Sequence, residues 1–251
     1  MKRQRAIGQQ VDNCIQKDTR TRAHYRQRAL TCDEEELAVE KQMKVLGIVC
    51  SSRKGENTEI LVKEALSGAE ESGAEIELFT IRGKNIKPCD GCHACEKTGV
   101  CHIKDDMQGI YEKMLAADGI ILGTPVYFWT VSGQAKVLMD RTIALSHPRL
   151  MLANKVAGAV AAASRQGTVS ALNVFQRYFA GNHMFTADLV EGLANDKGAI
   201  VRDKRAMKSA YEMGRQMASL VKKKLKFPDE FDVPLYEYVN KKYKVPRYPT
   251  A

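Results

Sequence analysis

Cys89, Cys92, Cys95 and Cys101 fall inside thirteen residues, spaced C-x2-C-x2-C-x5-C. At that spacing one short loop can wrap a single metal centre with four thiolates, and dense C-x2-C-x2-C runs are the usual mark of iron–sulfur ligation. Structural zinc more often takes two C-x2-C pairs set further apart, or recruits histidines. A disulfide framework fits poorly, because such closely spaced cysteines are awkward to bridge and the rest of the chain has an intracellular character. An iron–sulfur centre is the favoured reading; zinc and free or redox-active thiols stay open.

Alternating apolar runs provide the elements that must position this loop. Val45–Cys50 is a short β-branched run suited to a buried parallel strand, and Glu59–Ser72 has the periodicity of an amphipathic helix. A second strand is expected over Glu75–Thr80, followed by the cysteine loop, 87–104. Asp105-Asp106-Met107 reads as the cap of a helix ending near Ala117. Further strands are expected over Gly119–Gly123, Lys155–Ala163 and His183–Leu189, and further helices over Ser132–Thr142, Thr168–Phe179 and Lys204–Lys224. Strands alternating with helices of this length predict an α/β fold with a doubly wound parallel sheet.

The 251 residues, 44% of them hydrophobic, suffice for one such domain, expected over 43–226, with tails besides. No apolar run approaches a membrane span and the N-terminus lacks a secretory stretch, so a cytoplasmic location is expected. The net charge of +9 is uneven: residues 1–28 hold eight basic residues against two acidic ones, and Lys222, Lys223, Lys224 and Lys226 end the last helix. No recognition motif accompanies this charge, so nucleic-acid binding is not expected, and a small acidic protein suits the surface better. Residues 1–42 read as a basic extension, and 227–251, rich in Pro and Tyr, as an extended tail.

In open α/β sheets ligands bind beyond the carboxyl ends of the strands, and three loops there carry suitable chemistry. Cys50–Thr58 brings Ser51, Ser52, Arg53, Asn57 and Thr58 to a helix N-terminus, where the dipole favours an anion; it lacks the P-loop pattern and suits a single terminal phosphate. Thr124, Pro125 and Val126 lead into three consecutive aromatics, Tyr127, Phe128 and Trp129, against which a flat heteroaromatic ring would pack. A subunit contact is the other use of such a cluster. The third loop, with Ser164, Arg165 and Gly167, would hydrogen-bond a ring edge.

Together these loops resemble the iron–sulfur flavoproteins, a branch of the flavodoxin-like NAD(P)H-dependent FMN reductase superfamily. The resemblance covers roughly residues 44–225 and is most specific at Cys89–Cys101 with Lys104-Asp105-Asp106-Met107; Gly119–Arg141 is family-like as well. It implies a flavodoxin-like five-stranded sheet of order 2-1-3-4-5, FMN on the three loops and a [4Fe–4S] cluster on the four cysteines. Ser51, Arg53 and Asn57 match the family's phosphate loop, Thr124 through Phe128 its flavin-ring loop, and Ser164 and Gly167 its second ring loop. Val49 and Cys50 stand where the family usually has Ser-Gly, and Ser52 where it often has Pro, so one phosphate ligand is expected to be lost or replaced. Homodimers or homotetramers are implied as well.

The function so implied is electron transfer from a ferredoxin-like donor through the cluster and FMN to a small acceptor, a quinone or an oxygen species. No side chain need act as acid or base, and His93 and His102 are not assigned catalytic roles. The alternative is a cluster-free FMN-dependent NAD(P)H reductase of quinones, flavins or nitro compounds, disfavoured if Phe128 and Trp129 block the pocket. A zinc- or thiol-bearing regulatory module gripping nucleic acid is least favoured, because it leaves the three loops unexplained.

Overall fold

The computed structural model of the chain describes residues 42–147, 149–228 and Lys242. The expected basic extension, apart from Gln42, and nearly all of the expected tail lie outside the described residues, as do Cys14 and Cys32.

Five long strands make a parallel sheet: β1 (Lys44–Val49), β2 (Glu75–Thr80), β3 (Gly119–Tyr127), β5 (Val156–Ala163) and β6 (Phe185–Leu193). Their spatial order is β2-β1-β3-β5-β6, the flavodoxin-like arrangement expected. A sixth, two-residue strand, β4 (Thr130–Val131), pairs antiparallel with the end of β3. The helices are α1 (Asn57–Glu71), α2 (Ala94–Thr98), α3 (Met107–Ala116), α4 (Gly133–Arg141), α5 (Thr168–Gly181) and α6 (Lys204–Lys222), with 3-10 turns at Thr142–Ser146 and Ala199–Arg202.

The central strands read as continuous apolar runs because helices cover both faces of the sheet; every residue of β5 is buried. On one face Leu61, Val62 and Leu66 of α1 pack with Met213 and Met217 of α6. On the other, Ile110 and Met114 of α3, Leu138 of α4, and Phe175 and Phe179 of α5 form a second core. Helices α1 and α6 approach backbone to backbone. A Cβ on Gly214 would stand 1.8 Å from the carbonyl oxygen of Ala65, and one on Gly68 2.0 Å from that of Tyr211.

Three departures from the sequence expectation matter for the site. Strand β3 continues past Gly123, pairing Thr124 with Ala161 and Pro125 with Ala162 before turning back into β4. The turn is Phe128-Trp129, both at positive φ (46° and 63°). A two-residue hairpin of the I′ type requires that backbone, normally with Asn-Gly, so the aromatic pair is held in a conformation bulky residues avoid. The short helix α2 lies within the expected cysteine loop. Strand β6 begins at Phe185 rather than His183, because His183 sits at φ 52° in the turn that ends α5; pairing with β5 then carries β6 on to Leu193.

Candidate functional site

The cysteine segment leaves the carboxyl end of edge strand β2. Gly91, His93 and Gly99 take positive φ (69°, 58° and 70°), and these reversals curl the loop on itself. As a result Cys89, Cys92, Cys95 and Cys101, all free thiols, line one cavity of about 190 Å³ together with Arg141 and Ile143. Their convergence registers at Cys95, whose thiol is pushed up first by burial and further by the charges of Cys101, Cys89 and Cys92. Thiolates that crowd one another in this way are stabilised by a cationic centre between them. On the exposed lip, His102 Nε2 lies 2.7 Å from Asp90 Oδ2 and His93 Nδ1 2.9 Å from Glu96 Oε1.

A buried ion pair closes the loop at both ends. Arg141 donates from Nη1 to the Lys87 carbonyl (2.8 Å) and to Asp105 Oδ2 (2.6 Å), and from Nη2 to Asp105 Oδ1 (3.1 Å) and the Ile103 carbonyl (3.4 Å). Both side chains are 0% exposed. Asp105 also accepts from the Lys87 N–H (2.9 Å), and Tyr111 OH donates to the Arg141 carbonyl (2.7 Å). Burial raises the Asp105 carboxyl, but the Arg141 guanidinium and backbone N–H groups overcome it and hold the group down at about 2. One donor remains: Arg141 Nε is buried and has no hydrogen-bond partner among the described residues. Four sulfur donors lining one cavity and an unpartnered buried N–H fit a thiolate-ligated cluster better than a single ion. The group of ligand atoms within 4.8 Å of one another among the described residues is Asp90, Cys92 and His102 rather than the cysteines.

The second cavity, an open cleft of about 330 Å³, lies at the carboxyl ends of β1, β3, β5 and β6. All three expected loops meet there: Ser51, Arg53, Asn57 and Thr58 from the first, Pro125, Val126 and Tyr127 from the second, and Ser164 from the third. The first-turn N–H groups of α1 have no helical partners, and Ser51 Oγ accepts from the Arg53 N–H (3.2 Å). Gly167 is the cradle of the third loop. A Cβ there would lie 2.9 Å from both Trp129 Cα and Val126 Cγ1, at a φ of 94° that favours glycine.

Several expected side chains are engaged within the protein or stand off the cleft wall. Thr124 is fully buried; its hydroxyl accepts from the Ser132 N–H (3.0 Å) and donates to the Pro125 carbonyl (2.8 Å). The Asn57 amide ties down the loop after β6, donating to the Asp196 carbonyl (2.9 Å) and accepting from the Ile200 N–H (3.2 Å). Ser52, Arg165, Phe128 and Trp129 are not on the cleft wall; Phe128 is 92% exposed and meets Trp129 edge to face with ring centroids 6.2 Å apart. The pair therefore does not block the cleft.

Sequence reasoning assigned nothing to Glu56, Ala194 or Asn195, which also line the cleft. The loop after the last strand was the available signal, since strand-end loops line such sites. Glu56 places a carboxylate in the loop between β1 and α1, 3.3 Å from Arg53 Nη1 and 4.0 Å from Lys197 Nζ. Below it Glu59 accepts from the Gly55 N–H (2.8 Å) and pairs with Lys63 (2.7 Å). Burial opposes ionisation of Glu59, but these partners leave its carboxyl below the usual range.

The family model for NADPH-dependent FMN reductase matches residues 43–196. An iron–sulfur flavoprotein of Methanocaldococcus jannaschii is 40% identical over 190 residues, 72% of this chain and 98% of that protein. An iron–sulfur flavoprotein of Methanosarcina thermophila is 44% identical over 126 residues, covering 50% of this chain and 66% of its own. Among solved structures, RosB with a bound 8-demethyl-8-formylriboflavin 5'-phosphate intermediate superposes with a TM-score of 0.65 at 17% identity, over 83% of this chain and 90% of its own, a likeness of fold. Fold and family match together define a flavin-dependent oxidoreductase of flavodoxin-like architecture. The chain belongs to the NADPH-dependent FMN reductase family and, within it, to the iron–sulfur flavoproteins. Among the described residues no helix is long and apolar enough to cross a membrane.

Proposed function

We propose that the protein binds FMN in the strand-end cleft and a [4Fe–4S] cluster on Cys89, Cys92, Cys95 and Cys101, and passes electrons between a ferredoxin-like donor and a small acceptor, a quinone or an oxygen species. One observation carries this reading: four thiols line a single cavity on a segment that leaves the carboxyl end of β2, the end of the parallel sheet on which the cleft also lies. When bound, FMN exchanges one or two electrons and the cluster one, which couples the two modes. The chain's own part is to hold and orient. Arg53 and the first turn of α1 face the phosphate, Pro125–Tyr127 and Ser164 wall the ring, and Gly167 keeps the hairpin against the third loop. No side chain acts as acid or base. The net charge of +9 favours an acidic donor protein, and association as a homodimer or homotetramer belongs to the same reading.

The test is the visible spectrum of protein purified without oxygen, with iron, sulfide and FMN assayed on the same sample. About four iron and four sulfide per FMN, with a broad absorption that bleaches on reduction, is the expected result. FMN without iron sinks the cluster assignment.

The second reading, an NAD(P)H-dependent FMN reductase without a cluster, gains from one observation: Phe128 and Trp129, which would disfavour it by blocking the cleft, do not line the cleft. Reduction of bound FMN by NADH or NADPH at catalytic rates, in protein free of iron, selects it.

Glu56 has a measurable consequence under either reading. A carboxylate paired with Arg53 weakens the hold on a phosphate dianion, so Glu56→Gln is expected to tighten FMN binding roughly fivefold, or about 1 kcal/mol at surface dielectric. Riboflavin, which lacks the phosphate, serves as the control. Fluorescence titration giving equal gains for both ligands, or none, contradicts this role for Glu56.

A further inference from the structure

Arg141 is fully buried although it carries a charge, and four of its hydrogen bonds bracket the cysteine loop at Lys87, Ile103 and Asp105. Its wall of the cavity is shared with all four cysteines. With Nη1 and Nη2 occupied, Nε is the one nitrogen of the guanidinium left without an acceptor, although a buried unpaired donor costs about 1–3 kcal/mol. The other acceptors that line the cavity, the Asp90 and Glu96 carboxylates, are already paired with His102 and His93, which leaves sulfur held by the cysteines as the acceptor for Nε.

We propose that Arg141 is a positioning residue of the cysteine site: it fastens both ends of the ligand loop and presents Nε–H to the sulfur centre, raising its reduction potential. The inference rests on the cluster reading above. A hydrogen bond and a positive charge favour the form with the added electron, because reduction makes the centre more negative; hydrogen bonding to cluster sulfurs is an established lever on potential. Asp105 acts in the opposite sense, since its carboxylate offsets the guanidinium charge. Arg141→Gln and Asp105→Asn should therefore shift the potential in opposite directions. A purely structural clamp predicts otherwise, because either change loosens the same loop in the same way.

The experiment is a potentiometric titration, followed by EPR, of the cluster in the whole protein and in Arg141→Gln, Arg141→Lys and Asp105→Asn. At fixed ambient potential, Arg141→Gln should lower the ratio of reduced to oxidised cluster at least tenfold, about 59 mV for one electron. Asp105→Asn should raise that ratio. Arg141→Lys, which keeps charge but not the fork, should fall between wild type and Arg141→Gln, and it stands in if the Gln variant does not fold. Shifts of one sign in both Arg141→Gln and Asp105→Asn, no shift in either, or loss of iron from a folded Asp105→Asn protein overturn the proposal. Absence of iron and sulfide from the wild type is a separate result, which removes the cluster reading and this inference with it.

Discussion

Gly214→Ala is expected to destabilise the protein by about 3 kcal/mol or more, although glycine to alanine inside a helix ordinarily gains up to about 1 kcal/mol. The two effects compete at one carbon atom. Helix propensity favours alanine, but the new Cβ would stand 1.8 Å from the Ala65 carbonyl oxygen and 2.8 Å from the Ala69 nitrogen, both backbone atoms of α1. Side chains can rotate away from a clash of that kind; a helix backbone has to be displaced as a whole. Separating α1 from α6 also opens the core that Leu61, Val62, Met213 and Met217 build on this face of the sheet, and packing at that density does not tolerate it. Gly109→Ala is the internal control. It lies in α3 with nothing within 4 Å of the added carbon, so the same substitution there should stabilise by up to about 1 kcal/mol. Urea denaturation of both variants reads the contrast directly, and a Gly214→Ala midpoint at or above wild type would show that the helices do not approach as described.

Asp105→Ala is expected to cost about 3–5 kcal/mol, because it leaves Arg141 charged and buried without its partner. The side chains of both are fully buried, and the carboxylate holds Arg141 through two hydrogen bonds of 2.6 and 3.1 Å. It also accepts from the N–H groups of Lys87 and Met107, so its loss frees the start of the cysteine loop and the entry to α3 together. The interaction carries a pH signature. The folded-state pKa of Asp105 is about 2 against an ordinary 3.8, so its stabilisation is complete above about pH 4 and is lost as the pH falls towards 2. That span corresponds to roughly 2 kcal/mol. Stability measured by denaturant midpoint should fall over that window in the wild type and fall less in Asp105→Ala. Parallel pH curves for the two proteins would show that Asp105 is not ionised against Arg141.

Much of this arrangement is legible in the residues themselves. The alternation of apolar runs marks Glu75–Thr80 at its true limits, places every other long strand and helix within a few residues, and leads to the doubly wound order. Periodicity succeeds for the central strands because they are buried as their apolar runs declare, whereas edge strand β2 keeps the alternation with no fully buried residue. The cysteine spacing likewise marks a candidate ligand loop, since one short loop can bring four thiols to a single centre.

The site is less legible wherever its geometry depends on partners distant in sequence. Thr124 and Asn57 have the residue types of ligand-binding groups, yet their side chains are taken up by Ser132 and by the loop at Asp196 and Ile200. Phe128-Trp129 forms a hairpin turn without a turn signal, because pairing of β3 with β4 imposes the positive φ that the residues themselves disfavour. Composition and spacing by themselves determined the fold class, the strand-end loops and the candidate ligand cysteines. Only the tertiary structure decided that Arg141 reaches across 36 residues to lock Asp105, that Glu56 sits against Arg53 in the cleft, and that Gly214 meets Ala65. Burial, charge pairing and close backbone approach are properties of two segments brought together, and no periodicity within either segment encodes them.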